Sequence, residues 1–356
     1  MGFIVKPLTF LSNRDILIQM VYIYILLFVI KLTKIKLTKR ILYIMEKYVI
    51  LADVTCDINE EIREYVAMED YIRGHAHISD GKNETDIITT LDWTEFDRAD
   101  FYKKLADKKC KITTAPANIE EYAAAFEKYI AQGYAVLSMS LSSKLSGTYD
   151  FSVIAARNVK EKYPDAKIYC FDAMRIAAGF GLLVIYAHLL KKEGKTFEEV
   201  IEWLEMNKHR VHQMGPIDDL ITVARRGRLT MGKAIMGSFA GVKPMGDCNS
   251  EGYVTVLTKT KGIRKAFDIT VEYVRRTATE PQNNYCIVTN TDREQYAETL
   301  KEMLEKEIGF KKVFSANSSS GNAVNIGPGM IGVYYLGDEI TDLENEKAVM
   351  NSIIGK

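Results

Sequence analysis

The sequence predicts an α/β protein of two domains, the first with a mostly parallel sheet and flanking helices, the second a smaller α+β domain. From residue 47 onward, short apolar runs of strand length alternate with longer helix-like stretches, as in parallel sheets with helical crossovers. After about residue 215, YVTVLTKT and YCIVTNT alternate apolar and polar residues, as half-buried strands do. A chain of 356 residues with 47% apolar content can bury the core that two domains need. We place the domains at 45–214 and 215–356.

Each predicted strand of the first domain is followed by a polar loop. Asn118, with Glu121 three residues later, starts a capping box, and Gly133 ends the helix that follows. Because the carboxyl ends of parallel strands lie at one edge of a sheet, we expect these loops to gather where such folds bind ligands. The predicted strands are 48–52, 111–113, 135–139 and 168–171, and the last two lead into helices at 148–159 and up to about Lys192.

The second domain is predicted to contain paired strands and an amphipathic helix. The segment 241–254, GVKPMGDCNSEGYV, contains glycines suited to a turn between two strands. The segment 292–309, DREQYAETLKEMLEKEIG, has amphipathic spacing and ends at Gly309.

The composition excludes several classes of function. The 47 basic residues balance the 47 acidic residues, so no overall charge attracts the protein to nucleic acid. The five cysteines are widely separated and form no C-x-x-C pair, which indicates neither a disulfide framework nor a zinc site. We therefore expect a cytoplasmic protein with no metal and no cofactor.

Residues 1–44 differ from the rest of the chain. Ile16–Ile30, ILIQMVYIYILLFVI, holds 15 residues without a charge and is followed by KLTKIKLTKR. It is shorter than the roughly 20 residues of a membrane-spanning helix, and no small-residue cleavage site follows it. Two interpretations stay open. The segment is either a basic-flanked membrane anchor, or a non-native extension that precedes a true start at Met45.

Several common catalytic and nucleotide-binding motifs are absent from the sequence. No serine has the G-x-S-x-G frame of α/β-hydrolases, and there is no P-loop and no H-E-x-x-H motif. His75 and His77 have the spacing of a ligand pair on one strand face, although an ordinary exposed strand explains them as well. We expect His188, His209 and His212 to be solvated or at the edge of the core, on or beside helices.

Hydroxyl side chains are concentrated in Leu141–Ser152, LSSKLSGTYDFS, directly after a predicted strand. A helix that begins at the Ser-Gly-Thr turn presents unpaired backbone N–H groups and the positive end of its dipole to a carboxylate or phosphate. Capping by Ser146 or Thr148 explains one hydroxyl, but not the convergence of several with those of TTAP, Thr113–Pro116. The pattern favours an anion-binding cradle. A hydrolase or phosphotransferase that uses the Ser/Thr cluster is the alternative.

Five motifs, in order, resemble those of the DegV family of bacterial lipid-binding proteins, and the resemblance spans 45–337. Asp53–Asp57, DVTCD, is similar to D-S-T-x-D; TTAP is similar to T-S-Q-P; and Leu141–Tyr149, LSSKLSGTY, is similar to S-S-x-L-S-G-T-Y. Arg225–Leu229, RRGRL, is similar to K-G-G-R-I, and Asn325–Gly329, NIGPG, is similar to H-x-G-P-G.

The resemblance implies a fold and a function. The implied fold is a two-domain α/β architecture. The implied function is to bury one long-chain fatty acid, without catalytic activity in this chain. In the branch of the family that works with a fatty acid kinase, the protein is a carrier subunit of phospholipid metabolism. It presents the bound carboxylate for phosphorylation and retains the acyl phosphate.

The resemblance also implies which residues bind the head group. The expected ligand-binding residues, with Ser143 as the leading carboxylate contact, are Thr113, Thr114, Ser142, Ser143, Ser146, Gly147 and Asn325. Asn325 stands where the family has a histidine, and an amide can donate a hydrogen bond but cannot carry a positive charge. Its alternative role is to support the Gly-Pro-Gly turn. The other departures from the family motifs are Val54, Thr114, Ala115 and Arg226.

A cluster of three arginines is predicted to contact the kinase partner. Arg225, Arg226 and Arg228 place three cations within four residues, which suits a basic rim beside an anionic head group. A solvated turn is the alternative interpretation. Contact with a membrane surface is expected to be transient, for lipid exchange.

The acyl tail requires an apolar tunnel. Ala177–Leu190, AAGFGLLVIYAHLL, is a candidate wall, in which Gly179 and Gly181 would allow close approach of an alkyl chain. A helix this apolar is first of all a core helix. Burial of a chain of about 16 carbons contributes on the order of 10 kcal/mol before ordering costs, at about 0.8 kcal/mol per CH₂.

Overall fold

The strands form small sheets, one of which is parallel throughout. The first sheet has the order β2-β1-β6-β7 with parallel pairing at each step. The other sheets have the orders β4-β3-β5, β10-β11-β9 and β13-β12-β14-β8. The strands are β1 (Tyr48–Asp53), β2 (Tyr71–Ile72), β3 (Gly74–Ser79), β4 (Glu84–Thr89), β5 (Lys111–Ala115), β6 (Ala135–Ser140), β7 (Ile168–Asp172), β8 (Val211–Met214), β9 (Leu229–Thr230), β10 (Val242–Cys248), β11 (Val254–Lys261), β12 (Tyr285–Asn290), β13 (Lys312–Asn317) and β14 (Ile331–Leu336).

Helices flank these sheets, which confirms the predicted α/β fold class. They are α1 (Glu60–Val66), α2 (Arg98–Ala106), α3 (Ile119–Ile130), α4 (Thr148–Lys162), α5 (Ala177–Lys192), α6 (Phe197–Asn207), α7 (Ile263–Thr277), α8 (Glu294–Glu307), α9 (Ser320–Ile326) and α10 (Glu344–Ile354). The predicted capping box at Asn118 and Glu121 is present at the start of α3.

The computed structural model describes residues 47–218, 223, 226–230 and 241–355, together with Tyr24, Leu27 and Lys31. Lys47–Lys356 form one compact unit. Most of Ile16–Ile30 and all of Arg225 lie outside the described residues. Among the described residues, no helix combines the length and apolarity needed to cross a bilayer.

One predicted strand belongs to a different sheet. β5 pairs antiparallel with β3, which pairs with β4 in turn, and none of the three joins the parallel sheet. β3 is buried at every second residue, whereas β1 and β6 are almost continuously buried. This one-sided burial is typical of an antiparallel layer with one solvated face. His75 and His77 lie on the solvated face, where they contact Glu121 and Asp86 at 2.8 Å.

Helix α5 packs against the parallel sheet and against the sheet β13-β12-β14-β8. Every residue from Ala177 to His188 is buried. A single apolar cluster contains this stretch together with residues of β1 and β6 and with Ile287 and Phe314 of β12 and β13. The core interpretation of Ala177–Leu190 is therefore the one that the structure supports.

His212 differs from its predicted surroundings. It lies in β8 and is fully buried between Tyr335, whose ring stacks on the imidazole at 5.5 Å, and Tyr273 of α7, whose ring lies edge-on at 6.4 Å. Nδ1 of His212 lies 2.7 Å from Oδ2 of Asp247, and Nε2 lies 2.9 Å from the Asp338 carbonyl oxygen. The sequence gives no sign of this contact, because Asp247 is 35 positions away from His212.

Candidate functional site

A cavity of about 490 Å³ lies at the carboxyl ends of β1 and β6. Its volume is within the range of small-molecule sites in proteins, about 300 to 1,000 Å³. The end of β1 and the turn after it contribute Asp53–Thr55, and the segment after β6 contributes most of Leu141–Thr148. Two of the predicted strand-end loops therefore form part of the cavity wall.

Hydroxyl and amide side chains form the polar part of the cavity wall. Ser146 Oγ lies 2.7 Å from Thr148 Oγ1, at the first turn of α4. The preceding residue, Gly147, provides no side-chain cap for α4, and Ser146 Oγ lies 3.4 Å from the Thr148 amide nitrogen. Helix capping thus accounts for little of the hydroxyl cluster. A helix start without a strong cap leaves N–H groups available to an anion.

Five of the predicted ligand-binding residues line the cavity, and two do not. The five are Thr114, Ser143, Ser146, Gly147 and Asn325. Thr113 is outside the lining and sits opposite His77 on the solvated face of β5, whereas Thr114 sits opposite buried Ala76. Ser142 is also outside, because its fully buried Oγ donates to the Gly252 carbonyl at 2.9 Å.

Asn325 joins the C-terminal half of the chain to the polar wall. Its Nδ2 donates to Thr114 Oγ1 at 3.1 Å and to the Gly321 carbonyl within α9 at 2.9 Å. The amide nitrogen of Asn325 is therefore bonded within the protein, where it helps to orient the hydroxyl of Thr114, another residue of the cavity lining.

Cationic side chains also line the cavity. Arg73, Lys144 and Arg228 are all in the lining, and none has an acidic partner within 4 Å among the described residues. Burial, and after it the charge of Arg226, lower the pKa of Arg228. Arg226 is not in the lining, since its Nη2 donates to the Ile112 carbonyl at 3.1 Å. The cavity thus combines neutral hydroxyl donors with unpaired positive charge, which suits an anionic group.

Apolar side chains form the remaining wall, and sequence analysis missed most of them. The lining includes Ile176, Ile217, Val223, Val254 and Met330. These residues come from short segments with no shared periodicity, so no pattern in the sequence marks them as a group.

Only the first residue of the predicted tunnel helix lines the cavity, namely Ala177. The two glycines expected to face an alkyl chain instead allow contacts within the protein. A Cβ on Gly181 would lie 2.0 Å from the Cys56 carbonyl oxygen, and a Cβ on Gly179 would lie 3.1 Å from the Tyr334 ring. Their small size therefore serves helix packing, not the accommodation of a ligand.

Two buried carboxyl groups hold the loops of the cavity in place. Asp53 accepts hydrogen bonds from the amides of Thr55 at 2.8 Å and Leu141 at 2.9 Å, and burial raises its pKa. Asp57 accepts from the Ser319 amide and from Asn322 Nδ2, both at 2.7 Å. Burial raises the pKa of Asp57 to about 6. Sequence analysis quoted both residues as part of a motif but assigned neither a role.

The arrangement is suited to binding. Neither Ser143 nor Ser146 is hydrogen-bonded to a histidine in the described chain, and His75, which also lines the cavity, is bonded to Glu121. A serine nucleophile needs an adjacent base within hydrogen-bond reach. No group of three His, Cys, Asp or Glu side chains among the described residues could hold a metal ion.

Comparison with known proteins establishes the family. A sequence model of an uncharacterised protein family named DegV matches residues 47–338. The chain belongs to the DegV family. A DegV domain-containing protein of Clostridium perfringens is 31% identical over 294 residues, which cover 83% of this chain and 99% of that protein.

Solved structures of DegV proteins have the same fold. A DegV lipid-binding protein of Thermotoga maritima superposes with a TM-score of 0.71 at 22% identity, covering 83% of this chain and all of that one. The fatty-acid-binding DegV protein of Bacillus subtilis superposes with a TM-score of 0.70 at 24% identity, covering 82% of this chain and all of that one.

Proposed function

We propose that this chain binds one long-chain fatty acid in the cavity, with the carboxylate at the hydroxyl residues and the acyl chain against the apolar wall. The observation that carries the proposal is the presence of both kinds of surface in one cavity. Ser143, Ser146 and Thr148 supply hydroxyls, whereas Ile217 and Met330 supply apolar surface. The binding properties described for the Thermotoga and Bacillus proteins support it.

The chemistry of the polar wall matches a carboxylate. Hydroxyl donors hold the group without removing its charge, and the nearby cations Arg73, Lys144 and Arg228 attract it. Ser143 is best placed among the serines, because its amide donates to Asp172 Oδ1 at 3.2 Å while no hydrogen bond to its hydroxyl occurs within the described residues. Its backbone is therefore fixed and its hydroxyl is available.

Replacing Ser143 with alanine is expected to weaken fatty acid binding about tenfold or more. The substitution removes a hydrogen bond to a charged group, which contributes roughly 1.5 to 3 kcal/mol. Ser142→Ala is the matched control, since the neighbouring hydroxyl donates to the Gly252 carbonyl and faces away from the cavity. Calorimetric titration with octadecanoic acid compares the two variants. Equal loss of affinity in both, or no loss in Ser143→Ala, would place the carboxylate elsewhere.

We further propose that the bound carboxylate is presented to a fatty acid kinase, so that catalysis takes place in the partner. A carboxylate held by neutral hydroxyls keeps an oxygen able to attack a phosphoryl donor. The basic residues beside the cavity are suited to the anionic head group and to the acyl phosphate that would form from it. On this proposal the chain itself remains a carrier subunit.

Variants of Arg226 and Arg228, the two described arginines of the RRGR motif, test contact with the partner and contact with the lipid separately. Arg226→Glu is expected to slow association with the kinase subunit about three- to tenfold at low salt, because electrostatic steering is lost. It should leave lipid affinity unchanged, since Arg226 does not line the cavity. Arg228→Glu is expected to weaken lipid binding as well. Acyl phosphate formation and lipid titration, measured side by side, check this. If the kinase phosphorylates the lipid bound to Arg226→Glu as fast as before, the proposed contact between Arg226 and the kinase is wrong.

A further inference from the structure

A second, smaller cavity adjoins the apolar wall of the site. It has a volume of about 40 Å³, and we call it the inner chamber. Its far side is formed by residues 244–246 of β10 and by Val256 of β11. The residues that line both cavities are Gln213, Ile217, Val254, Met330 and Tyr334. These five residues therefore form a wall that the two cavities share.

Gln213 is a polar residue in this otherwise largely apolar wall. Its side chain is 9% exposed, and its Oε1 has no hydrogen-bond partner among the described residues. Its backbone is held on two sides, because its amide donates to Asp247 Oδ1 at 2.8 Å and its position in β8 pairs with Tyr334 in β14. A shift of the strand that would bring the Gln213 side chain to another hydrogen-bond partner is therefore opposed by these backbone contacts.

A buried amide oxygen without a hydrogen-bond donor is unfavourable in an apolar wall. An unsubstituted acyl chain does not relieve this, since CH₂ groups do not donate hydrogen bonds. A double bond or a methyl branch does not supply a donor either. A hydroxyl group does, so it can donate a hydrogen bond to Gln213 Oε1.

We propose that Gln213 selects a hydroxylated long-chain fatty acid, whose hydroxyl group hydrogen-bonds to the carboxamide at the shared wall. This inference rests on the proposed function, because it places the acyl chain along Ile217, Val254 and Met330. It adds a second polar contact, distinct from the carboxylate site at Ser143. The ligand is then recognised at two points, and the hydroxyl's position along the chain is set by the distance between them.

The test compares octadecanoic acid with a series of hydroxyoctadecanoic acids in which the hydroxyl steps along the chain. The full-length protein, stripped of bound lipid, is titrated with each acid. We expect at least one isomer to bind about tenfold more tightly than octadecanoic acid. Gln213→Leu should abolish that preference and bind octadecanoic acid at least as well as the unmodified protein does. Gln213→Met serves the same purpose if the leucine variant fails to fold.

Met330→Leu is the control, because it changes the shared wall without changing its hydrogen bonding, and it should keep the preference. Equal binding of octadecanoic acid and every isomer by the unmodified protein overturns the inference. Such a result is expected if water in the inner chamber already pairs with the Gln213 side chain. A preference that survives in Gln213→Leu also overturns it. Binding of octadecanoic acid alone leaves the proposed function standing, whereas binding of none of these acids removes the proposed function and this inference together.

Discussion

Replacing Gly181 with alanine is expected to destabilise the fold by about 3 kcal/mol or more. The added Cβ would lie 2.0 Å from the Cys56 carbonyl oxygen, and this backbone atom cannot move without shifting the turn Val54–Cys56. Overpacking of a tight core typically costs about 1 to 3 kcal/mol, and more when backbone must move. Val54 and Thr55 line the cavity, so we expect the proposed fatty acid binding to fall as well.

Gly179→Ala, in the same helix, is the matched control. Its Cβ would meet the Tyr334 ring at 3.1 Å and the Val211 side chain at 3.5 Å, which small side-chain movements can relieve. Alanine also gains about 1 kcal/mol of helix propensity over glycine. We therefore expect this variant to stay within about 1 kcal/mol of the unmodified protein in urea unfolding. A similar loss in both variants would show that the Cys56 contact is not the cause.

Replacing Asp247 with asparagine is expected to cost about 3 to 5 kcal/mol at pH 6, because it leaves His212 as an uncompensated buried charge. Both ring nitrogens of His212 face acceptors, the Asp247 carboxylate and the Asp338 carbonyl. Both contacts are hydrogen bonds only when each ring nitrogen carries a proton, so this arrangement favours the imidazolium form. Burial alone would lower the pKa of His212, but the Asp247 charge and the two hydrogen bonds together raise it.

The raised pKa of His212 gives the stability a definite pH dependence. Above the unfolded pKa of about 6.5, the native state binds more protons than the unfolded state does. The contribution of His212 is therefore complete below about pH 6.5 and is lost as pH rises through the folded pKa. Urea unfolding at pH 6 and at about pH 9 should show this loss in the unmodified protein and a flatter profile in Asp247→Asn.

Asp86→Asn is the control for this pair. His77 Nδ1 lies 2.8 Å from Asp86 Oδ1, nearly the distance of the buried pair, but the two side chains are 41% and 89% exposed. Exposed ion pairs contribute about 0 to 1 kcal/mol. A large loss in Asp86→Asn, or a small one in Asp247→Asn, would show that burial is not what makes the His212 pair important.

The order of strands and polar loops along the chain can be predicted from the sequence. A polar loop after an apolar strand is a local pattern, and it marked the hydroxyl-rich segments that hold Ser143, Ser146 and Thr114, whereas the choice of these individual residues came from the family resemblance. Which of two neighbouring hydroxyls faces the cavity is not local. Thr113 and Thr114 differ only in the face that they present, and the antiparallel pairing with β3 decides it. Ser142 differs from Ser143 through a contact with Gly252, 110 positions away.

Buried polar contacts across the chain were beyond prediction for the same reason. Asp57 pairs with Ser318 and Asn322, at separations of 261 and 265 positions. Gln213 follows another polar residue, His212, in a short strand, and nothing beside it in the sequence shows that its side chain lines a cavity. Such positions depend on which segments meet in space, and a single sequence carries no direct record of that.

The wall of the cavity is assembled from the whole length of the described fold, from Asp53 to Tyr334. A ribosome must therefore have synthesised nearly the entire chain before the last wall segment exists, and a chain cut short after Thr291 lacks both Met330 and Tyr334. On the proposed function, ligand is expected to be retained only after residue 334 has been synthesised. A product that ends after Thr291 is then expected to differ from the full-length chain in retaining no lipid.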